Sequence, residues 1–475
     1  MELPLAGLGG TGRFNYCVIG AGPAGVVCGL KLASAGSKVL LLEGGNRDIS
    51  PESQEIYEGD VLGDDYFPLN VSRLRFFGGS SNHWGGWCRP LDKIDFEGKG
   101  TSRRGRWPIT KSDLDPFLHE ASNILEIEPH FIELPINSEL KQINFQSSPP
   151  VRFREKYYRE ILHHGSLFLC LNANAVQFET DGVSILSLVV QGYDKVRYAV
   201  HADRYILACG GIENSRLLLW SNYLASGGLI KNAQSLGRYW FEHPHFTLGE
   251  AIVSTKFTLD MSGPFRDIRF FSPTEEMIRN KAILNCGLRL HGFRHGVGRL
   301  LQDVACVAPG WADWAYGRFR EGRLCGGELR AAWEQEPRYE NHIALGSNVD
   351  VLGIPRIQLH WRKSELDLHT PRTMAAAFGS YLAVSNIGRL KISQWLMNGT
   401  YPSNDELAGN HHMGGTRMGV DPNSAVVDAN CKLFGQSNLY IAGSSVFPSG
   451  GHANPTLTII QLALRLSSYL KSHSF

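Results

Sequence analysis

Apolar residues run from Phe14 to Ile19 and stop at Gly20, a pattern that predicts a short buried strand. Small residues then continue to Ala35, where Gly36 suits a helix C-cap. Lys38 to Leu42 forms a second buried strand closed by Glu43, so the opening reads as a βαβ unit. Polar, irregular sequence follows from Asp48 to Asn70, and Leu74 to Cys88 is rich in glycine and aromatics. Residues 111 to 126 read as a helix, and Leu167 to Val200 as a β-meander. Tyr205 to Ala208 is a further strand that enters Cys209-Gly210-Gly211 and a helix near Glu213. From about 246 to 407 the pattern changes. Short amphipathic strands (Ile343 to Leu345, Ile357 to Trp361) alternate with helical segments carrying Trp311, Trp314 and Trp333. The end returns to the first style, with glycines at 414 to 419, a strand over Leu439 to Ala442 and a helix from Pro455 to His473.

These elements predict an α/β fold of two domains. Residues 1–95, 165–245 and 408–475 would form a discontinuous Rossmann-like nucleotide-binding domain. Residues 96–164 and 246–407 would form a substrate-binding domain built on an antiparallel sheet with helices. The length of 475 residues suits this division. A formal charge of +1, from 47 basic and 46 acidic residues, offers no field for nucleic acid or an anionic membrane. Nine cysteines without a C-x-x-C pair fit a reducing compartment, with the cytoplasm as the expectation. No apolar run is long enough to span a bilayer. The paired histidines at 163/164, 243/245 and 411/412 make no standard metal set with cysteines, and no G-x-S-x-G elbow occurs.

Glycine is in excess, 52 residues, and it clusters where backbone would approach a ligand. In Gly20-Ala21-Gly22-Pro23-Ala24-Gly25, Gly20 allows a tight turn, Gly22 lets backbone approach a pyrophosphate, and Gly25 lets helix pack on strand. Ala24 belongs to the same turn. Glu43, 23 residues after Gly20, can accept hydrogen bonds from ribose hydroxyls and disfavours a 2′-phosphate. This fingerprint predicts dinucleotide binding without choosing between NAD and FAD.

Three further segments bear on that choice. The first is Arg75-Phe76-Phe77-Gly78-Gly79-Ser80-Ser81-Asn82-His83-Trp84-Gly85-Gly86. The second is His411-His412-Met413-Gly414-Gly415-Thr416-Arg417-Met418-Gly419. The third runs from Asn438 through Ala442-Gly443-Ser444-Ser445 to His452-Ala453-Asn454-Pro455-Thr456. Together they resemble the glucose–methanol–choline (GMC) oxidoreductases, which bind FAD. The resemblance implies that Gly78, Gly79, Ser80, Asn82, His83 and Trp84 lie along the flavin. His83, four residues after Gly79, has the offset at which sugar- and choline-oxidising members attach the flavin covalently. The alternative is a His83 that packs beside the cofactor. Ungapped alignment on Arg417-Met418-Gly419 puts His411 at the family's catalytic histidine, with His412 as the alternative. Asn454 takes the place of the second catalytic side chain. Pro455 and Thr456 begin a helix whose amides would direct positive potential at the flavin. The family's aspartate is missing from Ala-Gly-Ser-Ser, which leaves Gly443 and Ser444 only backbone or hydroxyl contacts. Gly237 to His243 and Ala208 to Glu213 resemble segments that pass the cofactor.

The implied activity is FAD-dependent oxidation of a CH–OH group to a carbonyl, with a histidine base and hydride transfer to flavin N5. The motif style is nearest the pyranose-oxidase-like branch, which implies a sugar, glycoside, aminoglycoside-like or polyol substrate. The acceptor of the electrons stays open among oxygen, a quinone, a cytochrome and a partner protein. Competing readings are a lyase or decarboxylase on the same fold, an NAD dehydrogenase, and a non-catalytic nucleotide-binding or partner module. Trp311, Trp314 and Trp333 could stack on a sugar, with core packing the preferred role.

Overall fold

A computed structural model describes residues 1–10, 12–98, 105–253, 268–292, 326–403 and 408–473. Phe14–Ile19 occupies the centre of a five-stranded parallel sheet in the order Leu439–Ile441, Ala202–Leu207, Phe14–Ile19, Val39–Leu42, Leu167–Cys170. Every residue of Val39–Leu42 and of Leu439–Ile441 is buried. A parallel sheet requires such near-continuous apolar strands because both faces are covered. Three separated stretches of chain thus share one sheet. Helices Pro23–Ser34 and Thr456–Ser472 pack together beside it, and the helix Gly210–Leu224 packs on an antiparallel meander of Asn174–Thr180, Ile185–Gln191 and Arg197–Val200.

A second sheet has seven antiparallel strands in the order Gly388–Ile392, His245–Val253, Gly326–Trp333, Cys286–Gly292, Ile268–Pro273, Leu140–Ile143, Glu133–Pro135. Helix Glu365–Val384 buries Met374, Phe378 and Leu382 in one core with Phe271, Leu329 and Trp333. Trp333 is therefore a core residue, its ring 5.9 Å from Phe246. Trp311 and Trp314 lie outside the described residues.

Three segments differ from the sequence pattern. Residues 111 to 126 are not one helix but two 3₁₀ turns, Lys111–Asp113 and Asp115–Phe117, followed by helix Leu118–Leu125. Asp113 folds back to the Thr110 amide, and Pro116 offers no amide to a continuous ladder. The strands His342–Val349 and Pro355–Trp361 pair with each other, and Pro355–Trp361 pairs on its other side with Gly59–Gly63, outside the seven-stranded sheet. Ile343, Ile357, Leu359 and Trp361 pack there on Ile212 and Trp240, next to the first sheet's helix. Residues 96–164 divide as well. Leu140–Ile143 joins the second sheet, while Leu118–Leu125 packs on Thr456–Ser472 and Phe153–His163 packs on Leu167–Cys170.

Candidate active site

The first glycine turn is built by backbone necessity at two positions and by ligand space at a third. Gly20 has φ +102°, and a Cβ there would lie 2.6 Å from the Ala208 carbonyl oxygen. A Cβ on Gly25 would lie 1.8 Å from the Gly20 oxygen, so this glycine sets the helix against the strand. Gly22 has an ordinary φ of −77°, and a Cβ there would meet nothing within 4 Å. Pro23 begins the helix, and no side chain caps its amides, which therefore remain open to an anion. Glu43 is nearly enclosed, and its two oxygens accept the Ala21 amide at 3.0 Å and the Gly45 amide at 2.8 Å. Its carboxylate is thereby held facing the same cavity as Gly22 and Ala24.

The second glycine cluster lies across the first. The Gly78 amide donates to the Ala21 carbonyl at 2.9 Å, and a Cβ on Gly79 would come 3.3 Å from the Gly22 Cα. Gly79, Ser80, His83 and Trp84 line the cavity. Gly25, Gly78 and Asn82 are not among its lining residues; they shape the wall from behind. Asn82 donates its amide to the Phe77 and Gly79 carbonyls, and Gly78 adopts φ +92° against the Arg154 backbone. The His83 ring is exposed to the cavity.

At the far end, His411 stands between two partners. Its Nδ1 is 2.9 Å from His243 Nδ1, and its Nε2 is 3.2 Å from Asn454 Nδ2. With the Asn454 amide donating to Nε2, the His411 proton resides on Nδ1 and points at His243. Burial, reinforced by the Arg289 charge, lowers the His411 pKa to about 4, so the ring is neutral at pH 7. His412 is turned elsewhere. Its Nε2 is 2.9 Å from the Tyr66 hydroxyl, which donates to Glu242 Oε2 at 2.6 Å. Burial, with the Arg73 charge next, lowers its pKa to about 3. Glu242 also accepts the His411 amide at 2.6 Å and the His243 amide at 2.8 Å. Its enclosure raises its own pKa to about 7. The carboxylate thus fixes the backbone on both sides of the histidine pair.

Gly443, Ser444, Asn454 and Thr456 complete the wall. Ser444 donates to the His412 carbonyl at 2.6 Å. Helix Thr456–Ser472 begins one residue later than the sequence reading, with Pro455 as its N-cap, and its first amides have no side-chain cap. The cavity measures about 580 Å³ and runs from Glu43 and Glu213 to His245, Arg289 and Trp87.

Several of these residues were not singled out in sequence. Tyr66 lies in the stretch read as irregular, and Arg289 and Trp87 belong to no motif. Glu242, His243 and His245 fall in or beside the segment noted near Gly237, where only the backbone's path was legible.

The chain's residues fit FAD. Two uncapped helix starts face one elongated cavity, Gly22 leaves open space at the first, and a carboxylate ends the next strand. Residues 337–463 match the family model described as GMC oxidoreductase. That stretch, which carries His411 and Asn454, is the C-terminal domain of the GMC oxidoreductase model. It is similar to 6'''-hydroxyparomomycin C oxidase of Streptomyces lividus, 22% identical over 97% of this chain and 92% of that protein. It is also similar to the fructose dehydrogenase large subunit of Gluconobacter japonicus, 26% identical over 62% of this chain, and spans about half (52%) of that relative's length. Among solved structures, pyridoxine 4-oxidase from Mesorbium loti shares the fold, with a TM-score of 0.59 and 16% identity over 98% of this chain and 100% of that one. FAD is the cofactor that the matched family implies. Among the described residues no helix is long and apolar enough to cross a membrane.

Proposed function

We propose that this chain is a GMC oxidoreductase that oxidises an alcohol carbon of a sugar, glycoside, aminoglycoside-like compound or polyol to a carbonyl, with His411 as the base. The observation that carries the reading is the neutral His411 ring paired with Asn454 at the end of the cavity. A hydroxyl in that corner can give its proton to His411 Nε2 while the Asn454 amide donates to its oxygen and holds the carbon in line. FAD, when bound, supplies the acceptor for the hydride that leaves the carbon. The helix start at Pro455–Thr456 presents positive potential to the same corner. The names of the two relatives, one a sugar dehydrogenase and one an aminoglycoside oxidase, support this substrate class.

Anaerobic mixing of the yellow holoenzyme with a panel of sugars and polyols tests the reading. Bleaching by at least one of them is expected; a flavin that no alcohol bleaches would overturn it. Asn454→Leu is expected to keep FAD and to slow bleaching by roughly 10- to 100-fold, the loss of about one to three kcal/mol from a hydrogen bond on the reacting oxygen. An unchanged rate in stopped-flow measurements would remove Asn454 from the site.

Attachment of FAD through His83 is part of the proposal, supported by the ring's place on the cavity wall. Acid precipitation should then leave the yellow colour in the pellet, and His83→Ala should release it to the supernatant. Colour in the supernatant of the parent protein would rule the bond out. The seven described cysteines are all unpaired thiols, which supports a reducing compartment such as the cytoplasm.

A further inference from the structure

His243 is fully enclosed and is absent from the cavity wall that His411 and Asn454 help to form. It meets the site through its ring. His243 Nδ1 lies 2.9 Å from His411 Nδ1, with the ring planes nearly perpendicular. In such a pair one nitrogen donates and the other accepts. The opposite edge of His411 receives the Asn454 amide at Nε2, which leaves the His411 proton on Nδ1 and makes His243 the acceptor. The proton of His243 then belongs on its Nε2. That nitrogen is enclosed without a well-aligned partner, and the Gly450 and Gly451 backbone beside the ring favours a proton there. Burial, with His411 and His452 next, holds the His243 pKa well below the usual imidazole range, so the ring is neutral. Backbone fixes the contact. The Gly409 amide donates to the His243 carbonyl at 3.0 Å, and a Cβ on Gly409 would come 2.8 Å from His411 Nδ1. His243 thus touches both His411 and the loop that leads into Asn454.

We propose that His243 is a positioning residue: by accepting the Nδ1 proton it holds His411 in the tautomer whose Nε2 is free to act as a base. The proposal rests on the reading of His411 as that base. Without an acceptor the enclosed Nδ1–H would be unpaired, and the proton would favour Nε2, where the ring cannot take another. The contact also strengthens as the reaction proceeds. When Nε2 takes the hydroxyl proton, the ring becomes an imidazolium that keeps its Nδ1–H on His243. A hydrogen bond from a charged donor is about twice as strong as a neutral one, and a gain of this kind lowers the barrier.

Neutron diffraction from deuterium-exchanged holoenzyme at neutral pH reads the protons directly. Deuterium is expected on His411 Nδ1 and on His243 Nε2; deuterium on His243 Nδ1 would overturn the proposal. Two variants read the consequence in stopped-flow reduction by D-fructose, the sugar in one relative's name, or by whichever panel alcohol bleaches fastest. His243→Leu fills the space without a nitrogen and should slow reduction at saturating alcohol roughly 10- to 100-fold. The half-saturating alcohol concentration should move by less than about threefold, because His243 does not line the cavity. His243→Asn offers an amide oxygen in place of Nδ1 and should recover to within about fivefold of the parent rate. A role in packing alone gives the reverse order, since an enclosed site tolerates leucine better than a polar amide. Visible absorbance of bound FAD checks that each variant is folded. A His243→Leu rate within about threefold of the parent, or a His243→Asn rate no faster than His243→Leu, would sink the proposal. If no alcohol bleaches the flavin, the reading of His411 as base falls, and the deuterium positions still decide whether His243 sets the tautomer.

Discussion

Replacing His411 with alanine is expected to leave FAD bound and to slow its reduction by an alcohol by roughly two to four orders of magnitude. The loss is large because no neighbour can take over the proton. His412 is adjacent in sequence, but its Nε2 is engaged by the Tyr66 hydroxyl, which is itself committed to Glu242. His243 meets His411 through Nδ1, on the side away from Asn454. His412→Ala should therefore cost less than tenfold, and the pair of variants separates the two adjacent histidines. Rapid reduction in His411→Ala, or a larger loss in His412→Ala, would reverse the assignment. The pH profile gives a second reading. A base must be neutral to accept a proton, and the folded environment lowers the His411 pKa to about 4. The rate of reduction at low substrate should then stay level from pH 7 to about 5 and fall as pH drops through about 4. An acid limb near the ordinary imidazole value of about 6.5 would contradict this environment.

The other large effect concerns the glycine turn, where two glycines three residues apart should respond differently in stability. Gly25→Ala places a methyl 1.8 Å from the Gly20 oxygen, and backbone cannot yield by that much without moving the helix off the strand. A loss of about 3 kcal/mol or more in urea unfolding is expected, together with a lower ratio of FAD to protein. Gly22→Ala meets no atom within 4 Å and has a φ that any residue adopts. Its apoprotein stability should change by less than about 0.5 kcal/mol. Its affinity for FAD should still fall, because the methyl enters the space in front of the open helix amides. If Gly22→Ala bound FAD as tightly as the parent protein, the pyrophosphate would have to lie elsewhere.

Both arguments show what could be read along the chain. The requirement for glycine at 25 follows from local chain geometry, while at 20 the positive φ is joined by the Ala208 carbonyl of the neighbouring strand; the strand, helix and strand around them follow from apolar periodicity. The choice of His411 over His412 came from the register of Arg417-Met418-Gly419, and the structure turns only the His411 ring toward Asn454. Elsewhere local pattern misled. Gly59–Gly63 is mostly exposed and carries no apolar alternation, so nothing local marks it as a strand; its partner strand Pro355–Trp361 holds it in place. Residues 111 to 126 have helical periodicity, yet the Asp113 turn and Pro116 divide them.

The sequence by itself determined the glycine turn, the cofactor class that the family resemblance implies, and the candidate pair His411 and Asn454. Those features depend on backbone freedom, small residues and short spacing, which are written locally. Only the tertiary structure decided how the pair is served. His243 reaches His411 across 168 positions, Tyr66 reaches Glu242 across 176, and the Gly79 turn lies over Gly22. Each depends on where two separate sheets and a returning loop pack against one another, and a side chain's partner across such a distance is set by packing that no local pattern encodes.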